Sequence, residues 1–259
     1  MKVIMKLFAV AAAALAFASH AHADKLVVNN DEWTWSNTGF NTAGDVATAN
    51  FAINVGNFLA GANGTIHAYS NNFGFTQNKL SSALTGAGFS YSTGTGFAFT
   101  DANLAGIDAL FLGGFALNAG EINVLRTYIA GGGGVYIAGG TAAIAGGSAG
   151  EAAAWNALLN DYDLAFGSSY NGVSGNIDTS GFGHAVFSAA SPLFINNGNS
   201  IFNSGTQAQV FGSDNGNQGG ALFAVVDTTP TTTVSEPGAI GLMGLMLLAL
   251  GVAARRRNA

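Results

Sequence analysis

Two short apolar runs near the middle of the chain set the tightest limit on its fold. Ile107-Asp108-Ala109-Leu110-Phe111-Leu112 stops at Gly113-Gly114, and Val135-Tyr136-Ile137-Ala138 stops at Gly139-Gly140. Each run is too short for a helix and has apolar residues at odd and even positions alike, so each predicts a strand buried on both faces. Between them Asn118 and Glu121 stand at capping-box spacing. Ile122, Leu125 and Ile129, joined less regularly by Val124, make an apolar stripe at the helical repeat, and Gly131 to Gly134 end it. Strand, helix and strand in so short a stretch leave room only for a crossover, which makes the two strands parallel. A parallel pair needs cover on both faces, so the chain is predicted to be α/β with a mainly parallel sheet.

The same alternation extends both ways. Thr65-Ile66-His67-Ala68-Tyr69 reads as a strand, 76–87 as a helix with Leu80 and Leu84 inward, and 89–92 as the next strand. Upstream, Leu26-Val27-Val28 reads as an edge strand and 45–59 as an apolar-faced helix. Asp101 caps a short turn through Leu104; downstream, 150–159 reads as a helix and 221–226 as a late strand. Asn, Gly and Ser dominate 167–220, which predicts hairpins or long loops. The stretch 228–234, with Pro230, reads as a linker.

Both termini carry segments of another kind. Met1 to Ala23 has Lys2 and Lys6, an apolar stretch from Leu7 to Ala18, and then Ala21-His22-Ala23. That is the pattern of a secretory signal peptide cut after Ala23, and the segment is too short for a stable membrane span. At the other end, Ser235-Glu236-Pro237 precedes a 17-residue apolar run, 238–254, and then Arg255-Arg256-Arg257. As a helix that run spans about 26 Å, enough for a thin bilayer core. The arginines would stay on the cytoplasmic side, since crossing costs roughly 2.5 kcal/mol or more each. Gly238, Gly241, Gly244 and Gly251 dilute the run, which suits a transient anchor better than a permanent one.

This tail resembles the PEP-CTERM sorting signal of Gram-negative bacteria, with Ser235 where the family usually has its first proline. The resemblance implies export by the Sec machinery and signal peptidase, transient anchoring in the inner membrane, and processing by an exosortase-type enzyme. The destination would be the cell surface or the extracellular space of exopolysaccharide-producing, biofilm-forming bacteria.

With both signals set aside, the body keeps three cations, Lys25, Lys79 and Arg126, against 14 acidic residues, a net charge of −11 from Asp24 to Glu236. Such a surface repels DNA, RNA and anionic headgroups, which excludes nucleic-acid binding. With no cysteine there is no disulfide, thiol nucleophile or thiolate metal site. The 19 Phe and 3 Trp argue against a disordered matrix polymer. Residues 24–227 are therefore expected to form one exported domain whose stability rests on packing.

The strand at Ile107, the helix after it and the Gly131-Gly132-Gly133-Gly134-Val135-Tyr136-Ile137-Ala138-Gly139-Gly140 stretch look like the class I glutamine amidotransferase-like, flavodoxin-like fold. The resemblance covers about 64–226 and implies a three-layer domain. In active members a cysteine sits in the turn after such a strand. Here the turn is Gly139-Gly140-Thr141, so amidotransferase chemistry does not carry over.

Gly146-Gly147-Ser148-Ala149-Gly150 matches the nucleophile-elbow pattern, with Asp178 and His184 downstream in hydrolase order. In a chain with 38 glycines the pattern is cheap, and an ordinary glycine-rich turn opening a helix explains it better. His67, mid-strand, reads as a satisfied core or edge residue, and no spaced set of ligands predicts a transition-metal site. Asp161-Tyr162-Asp163 and Asp214-Asn215-Gly216-Asn217 offer oxygens to Ca²⁺ without the EF-hand spacing, so no cofactor is expected beyond that option. Trp33 and Trp35 alternate with polar residues; core packing is the expected role, and stacking on sugar rings the functional alternative. The reading with most support is a non-enzymatic structural or adhesive protein of the polysaccharide matrix. The alternatives are an exported serine hydrolase and a calcium-dependent surface module.

Overall fold

The computed structural model describes residues 23–228 apart from 217. The expected signal peptide up to residue 22 and the sorting tail with its membrane span lie outside the described residues. No helix among the described residues is long and apolar enough to cross a membrane.

Five parallel strands form most of a seven-stranded sheet. They are β1 (Lys25–Asn29), β2 (Thr65–Tyr69), β3 (Ser90–Thr93), β4 (Ala109–Leu112) and β5 (Gly134–Ala138), in the spatial order β3-β2-β4-β5-β1. Two antiparallel strands extend it beyond β1: β11 (Phe223–Asp227), then β10 (Ala208–Phe211). Two ribbons lie outside this sheet, β6 (Leu164–Tyr170) with β9 (Asn199–Asn203) and β7 (Ser174–Ile177) with β8 (Leu193–Asn196).

The strand residues alternate between two cores. Leu26, Val28, Leu110, Leu112, Val135 and Ile137 enter one. Val27, Ile66, Ala68, Phe111, Tyr136 and Ala138 enter the other. The first core is closed by Ile122, Leu125 and Ile129 of α6 (Ala119–Ala130) and by Trp155, Leu158 and Leu159 of α7 (Gly147–Leu159). Covering the second are α1 (Asn37–Ala43), α2 (Asp45–Ala60) and the helices α3 (Phe73–Thr76) and α4 (Asn78–Gly86). A short α5 (Asp101–Leu104) adds Leu104 to the first. Helix, sheet and helix make three layers, as the two-sided apolar runs predict.

The βαβ expectation holds. Asn118 accepts from Gly120 and Glu121 while Glu121 Oε2 accepts from the Asn118 amide, so α6 starts at a complete capping box. The strand at Leu26-Val27-Val28 is a correction. It is not an edge but lies between β5 and β11, with all three residues fully buried. Three consecutive apolar residues satisfy both cores at once, which an edge strand facing water would not require. The helix expected over 76–87 is present as α4, with Leu80 and Leu84 buried, and the short α3 precedes it. Asn72 Oδ1 caps α3 through the Gly74 amide, and Gln77, extended at φ −75° and ψ 153°, separates α3 from α4. Helix α7 starts at Gly147, three residues earlier than expected.

Trp35 anchors the second core. It is 1% exposed, stacks on Tyr136 at 3.9 Å between ring centroids and on Phe111 at 5.0 Å, and also meets Phe51 and Phe75. The core reading holds for it, and contact with a sugar is ruled out by burial. Trp35→Ala should cost about 3–5 kcal/mol and lower Tm by roughly 10 °C in thermal denaturation followed by circular dichroism. Trp33→Ala, at a half-buried position, should cost much less.

Candidate functional site

The path of the chain divides at one place on the sheet, the carboxyl ends of β1 and β5, where segment 196–199 packs onto Asn30 and Asp31. After β1 the chain passes to the face of α1 and α2; after β5 it passes to the opposite face, into α7. Since β1 and β5 are neighbours, their outgoing loops diverge, which is the geometry of a ligand crevice at the carboxyl edge of an open α/β sheet. Asn30-Asp31-Glu32 leave β1 there, and Gly139-Gly140-Thr141 leave β5.

Three buried carboxylates converge on this edge. Asp31, fully buried, opens the 3-10 turn Glu32–Trp35; Oδ1 accepts from the Trp33 amide at 2.9 Å and Oδ2 from the Asn196 amide. Glu32, 5% exposed, accepts from Asn72 Nδ2 in the loop after β2. Glu151, on the first turns of α7 and fully buried, reaches back to Thr141, whose amide (2.7 Å) and hydroxyl both donate to Oε1. Burial pushes Asp31 up to about 7, against the opposing amides of Trp33 and Asn196, with the charge of Glu151 adding to the rise. Burial pushes Glu32 to about 8, opposed by Asn72 and reinforced by Asp31 and Glu151. Glu151 is raised by burial too, against its donors at Thr141, Gly140 and Ala142.

No cation among the described residues offsets these charges. Lys79 pairs with Asp45 at 2.6 Å, Arg126 with Asp161 at 2.7 Å, and Lys25 lies over Phe58 at the other end of β1. The crevice is lined instead by amides and glycines. Asn199 Oδ1 accepts from the Gly140 amide at 3.0 Å, while its Nδ2 donates to the carbonyls of Ser148 and Gly167. A Cβ at Gly140, where φ is +66°, would lie 2.8 Å from Gly198 Cα, so only glycine lets these segments meet. On the rim, Trp33 is half-buried beside the two carboxylates and meets Phe73 edge-on at 4.8 Å.

The sequence-predicted residues fare differently. Ser148 lies in the first turn of α7 after Gly146, not directly after a strand, and donates to the Ser168 carbonyl at 3.0 Å. Asp178 accepts from the Ser180 amide and the Ser191 hydroxyl, and His184 Nδ1 accepts from the Val186 amide. Each is committed elsewhere, and no hydrogen bond joins them into a triad. His67 is satisfied, as read from sequence: Nδ1 meets Ser92 Oγ at 2.8 Å and Nε2 the Gly94 carbonyl at 2.9 Å.

Of the calcium candidates, Asp161 pairs with Arg126. Asp214 is buried, with Oδ2 taking donors from Ser200, Gln218 and Gly220. No group of three or more His, Asp or Glu among the described residues is arranged to hold a metal ion. A separate open groove of about 510 Å³ lies by the amino ends of β4 and β5, lined by Asp101, Ile107, Asp108, Tyr128 and the Gly131–Gly133 turn. Asp108 there already accepts from the Thr65 amide at 2.7 Å.

Sequence reasoning missed Asp31, Glu32 and Glu151. The available signal was an acidic pair directly after a buried strand; nothing local marked Glu151, which looks like any helix carboxylate.

No family model and no curated protein matches the chain. Among solved structures, the mmIFT52 N-terminal domain aligns over 57% of this chain and 70% of its own, at 15% identity and a TM-score of 0.38. That likeness is too slight to argue from.

The buried carboxyls have a sign-definite effect on stability. The fold holds protons on Asp31 and Glu32 to about pH 7–8, whereas their ordinary values are 3.8 and 4.5. Their contribution is therefore complete below about pH 4 and is lost as pH rises through 8. Tm should fall by on the order of 5–10 °C between pH 5 and pH 9. Glu32→Gln, which keeps an acceptor for Asn72, should flatten that slope by about half. Differential scanning fluorimetry across buffers reads both effects.

Proposed function

We propose that this chain is an exported cell-envelope protein that binds matrix polysaccharide at the carboxyl edge of its sheet and performs no catalysis. The observation that carries the binding reading is the carboxyl edge between β1 and β5, where buried carboxyl and amide side chains are gathered and the half-buried Trp33 follows Asp31 and Glu32 in the chain. Sugars are recognised by such sets, with carboxylates and amides taking hydroxyls while an aromatic ring covers the C–H face. The strand order β3-β2-β4-β5-β1 supports a flavodoxin-like, amidotransferase-related domain in which the amino-terminal strand takes the last parallel position. The missing cysteine leaves it without that family's chemistry.

Export and sorting rest on the two terminal segments. In this reading, Sec and signal peptidase act at Ala21-His22-Ala23, and an exosortase-type enzyme acts at Ser235-Glu236-Pro237 with its span and arginines. The product is an adhesive or structural component of an exopolysaccharide matrix, at the surface or released.

Two measurements test the proposal. The full chain should co-sediment saturably with exopolysaccharide from its source, and Trp33→Ala should weaken that binding about tenfold. Absence of binding at high protein concentration would end the matrix reading. Replacing Glu236-Pro237 with Ala-Ala should leave the protein in the inner-membrane fraction with its tail attached, read by fractionation and intact mass. Unchanged processing would end the sorting reading.

A further inference from the structure

At this edge, three side chains carry buried polar atoms without a hydrogen-bond partner: both amide atoms of Asn30, Glu151 Oε2 and the hydroxyl of the half-exposed Tyr170. Asn30 and Glu151 are fully buried. They belong to one locality. Glu151 Oε1 holds Thr141, next to Gly140; a Cβ on Gly140 would touch Gly198, and one on Gly198 would lie 2.8 Å from Asn30 Nδ2. On the other side the Tyr170 hydroxyl lies 3.6 Å from where a Cβ of Gly147 would be, and Gly147 is one helical turn before Glu151 on the same face of α7. Glu151 and Glu32 both act electrostatically on Tyr170. A buried acceptor left unsatisfied costs about 1–3 kcal/mol, more when charged, so such a gathering is not incidental packing.

The chemistry of the set favours one kind of guest. Glu151 Oε2, Asn30 Oδ1 and Tyr170 Oη are three acceptors. Around them stand three carboxyl groups, and every Lys and Arg among the described residues is engaged elsewhere. A primary ammonium brings three N–H donors and the missing positive charge. A neutral hydroxyl brings one donor and no charge. We infer that the crevice between β1 and β5 is a site for a primary ammonium group, with Glu151, Asn30 and Tyr170 as its three acceptors. Within the matrix-binding reading, on which this rests, the guest is the free amine of a deacetylated amino sugar. Access is from the rim, where Tyr170 is half-exposed and the loop 142–146 is largely exposed.

Calorimetric titration of the full chain with glucosamine, N-acetylglucosamine and glucose, with methylammonium and CaCl₂ as further probes, tests this. Glucosamine should bind at least about tenfold more tightly than either neutral sugar, and methylammonium should compete with it. Glu151→Gln should remove the preference, and Tyr170→Phe, which deletes only a hydroxyl, should reduce it about three- to tenfold. Should Glu151→Gln not fold, Tyr170→Phe carries the test. Equal affinity for all three sugars, or a preference untouched by Tyr170→Phe, would overturn the ammonium site and leave polysaccharide binding standing. A Glu151-dependent response to CaCl₂ but not to amines would overturn it in favour of a metal. Ammonium binding without co-sedimentation of the source polysaccharide would uphold the site and overturn the matrix reading instead.

Discussion

The structure depends on a five-residue strand whose last four residues water never touches. β1 is paired on both edges, to β5 in parallel and to β11 in antiparallel register, and it feeds side chains into both cores. Without it the βαβ units at β2 to β5 would lack their outer neighbour, and the strands from the carboxyl-terminal half would have nothing to join. Its exit also positions Asp31 and Glu32. The strand that completes the sheet and the residues that line the crevice are thus one continuous segment, so fold and site cannot vary independently here.

Keeping three carboxyls in that crevice runs against the hydrophobic logic of the rest of the molecule. The body has few cations, and none is placed near the cluster. Proton retention is the only internal means of neutralising the site, and the raised values of Asp31 and Glu32 express it. Backbone donors from β8, from the loop after β5 and from the start of the 3-10 turn hold the oxygens in place without neutralising them. The result is a polar cell walled by glycine turns and paid for by packing elsewhere, chiefly the aromatic stack of Trp35, Tyr136 and Phe111.

What could be read from sequence follows the range of the interactions concerned. The helix α6 and its flanking strands were legible because capping, periodicity and glycine stops are all local. The burial of His67 was legible from its neighbours Ile66 and Tyr69, and that of Trp35 from the size of its ring alone. The central position of β1 was not, since three apolar residues look the same at an edge or in the middle; pairing with β11, some 200 residues away, decides it. The short α3 ahead of α4 was not foreseen, since it rests on the Asn72 cap and ends at the extended backbone of Gln77. The site was the least legible feature: Glu151 joins Asp31 and Glu32 only because neighbouring strands send their chains to opposite faces. The Ser148 pattern, by contrast, was visible in sequence and has no partner in space.

The two ends of the described chain meet. Asp24 and Thr228 exchange hydrogen bonds at the foot of β1 and β11, while the crevice opens at the head of β1. Consider a molecule held from beyond Thr228 and loaded by a polymer lodged against Asp31. The force then runs lengthwise along β11 and β1, and their whole ladder from Lys25–Asp227 to Asn29–Phe223 is strained in shear, its rungs resisting together. Pulled instead by its two ends, the same ladder would open rung by rung from the foot. A five-rung antiparallel pair thus acts as a clamp toward a load at the crevice and as a zipper toward a load at the termini.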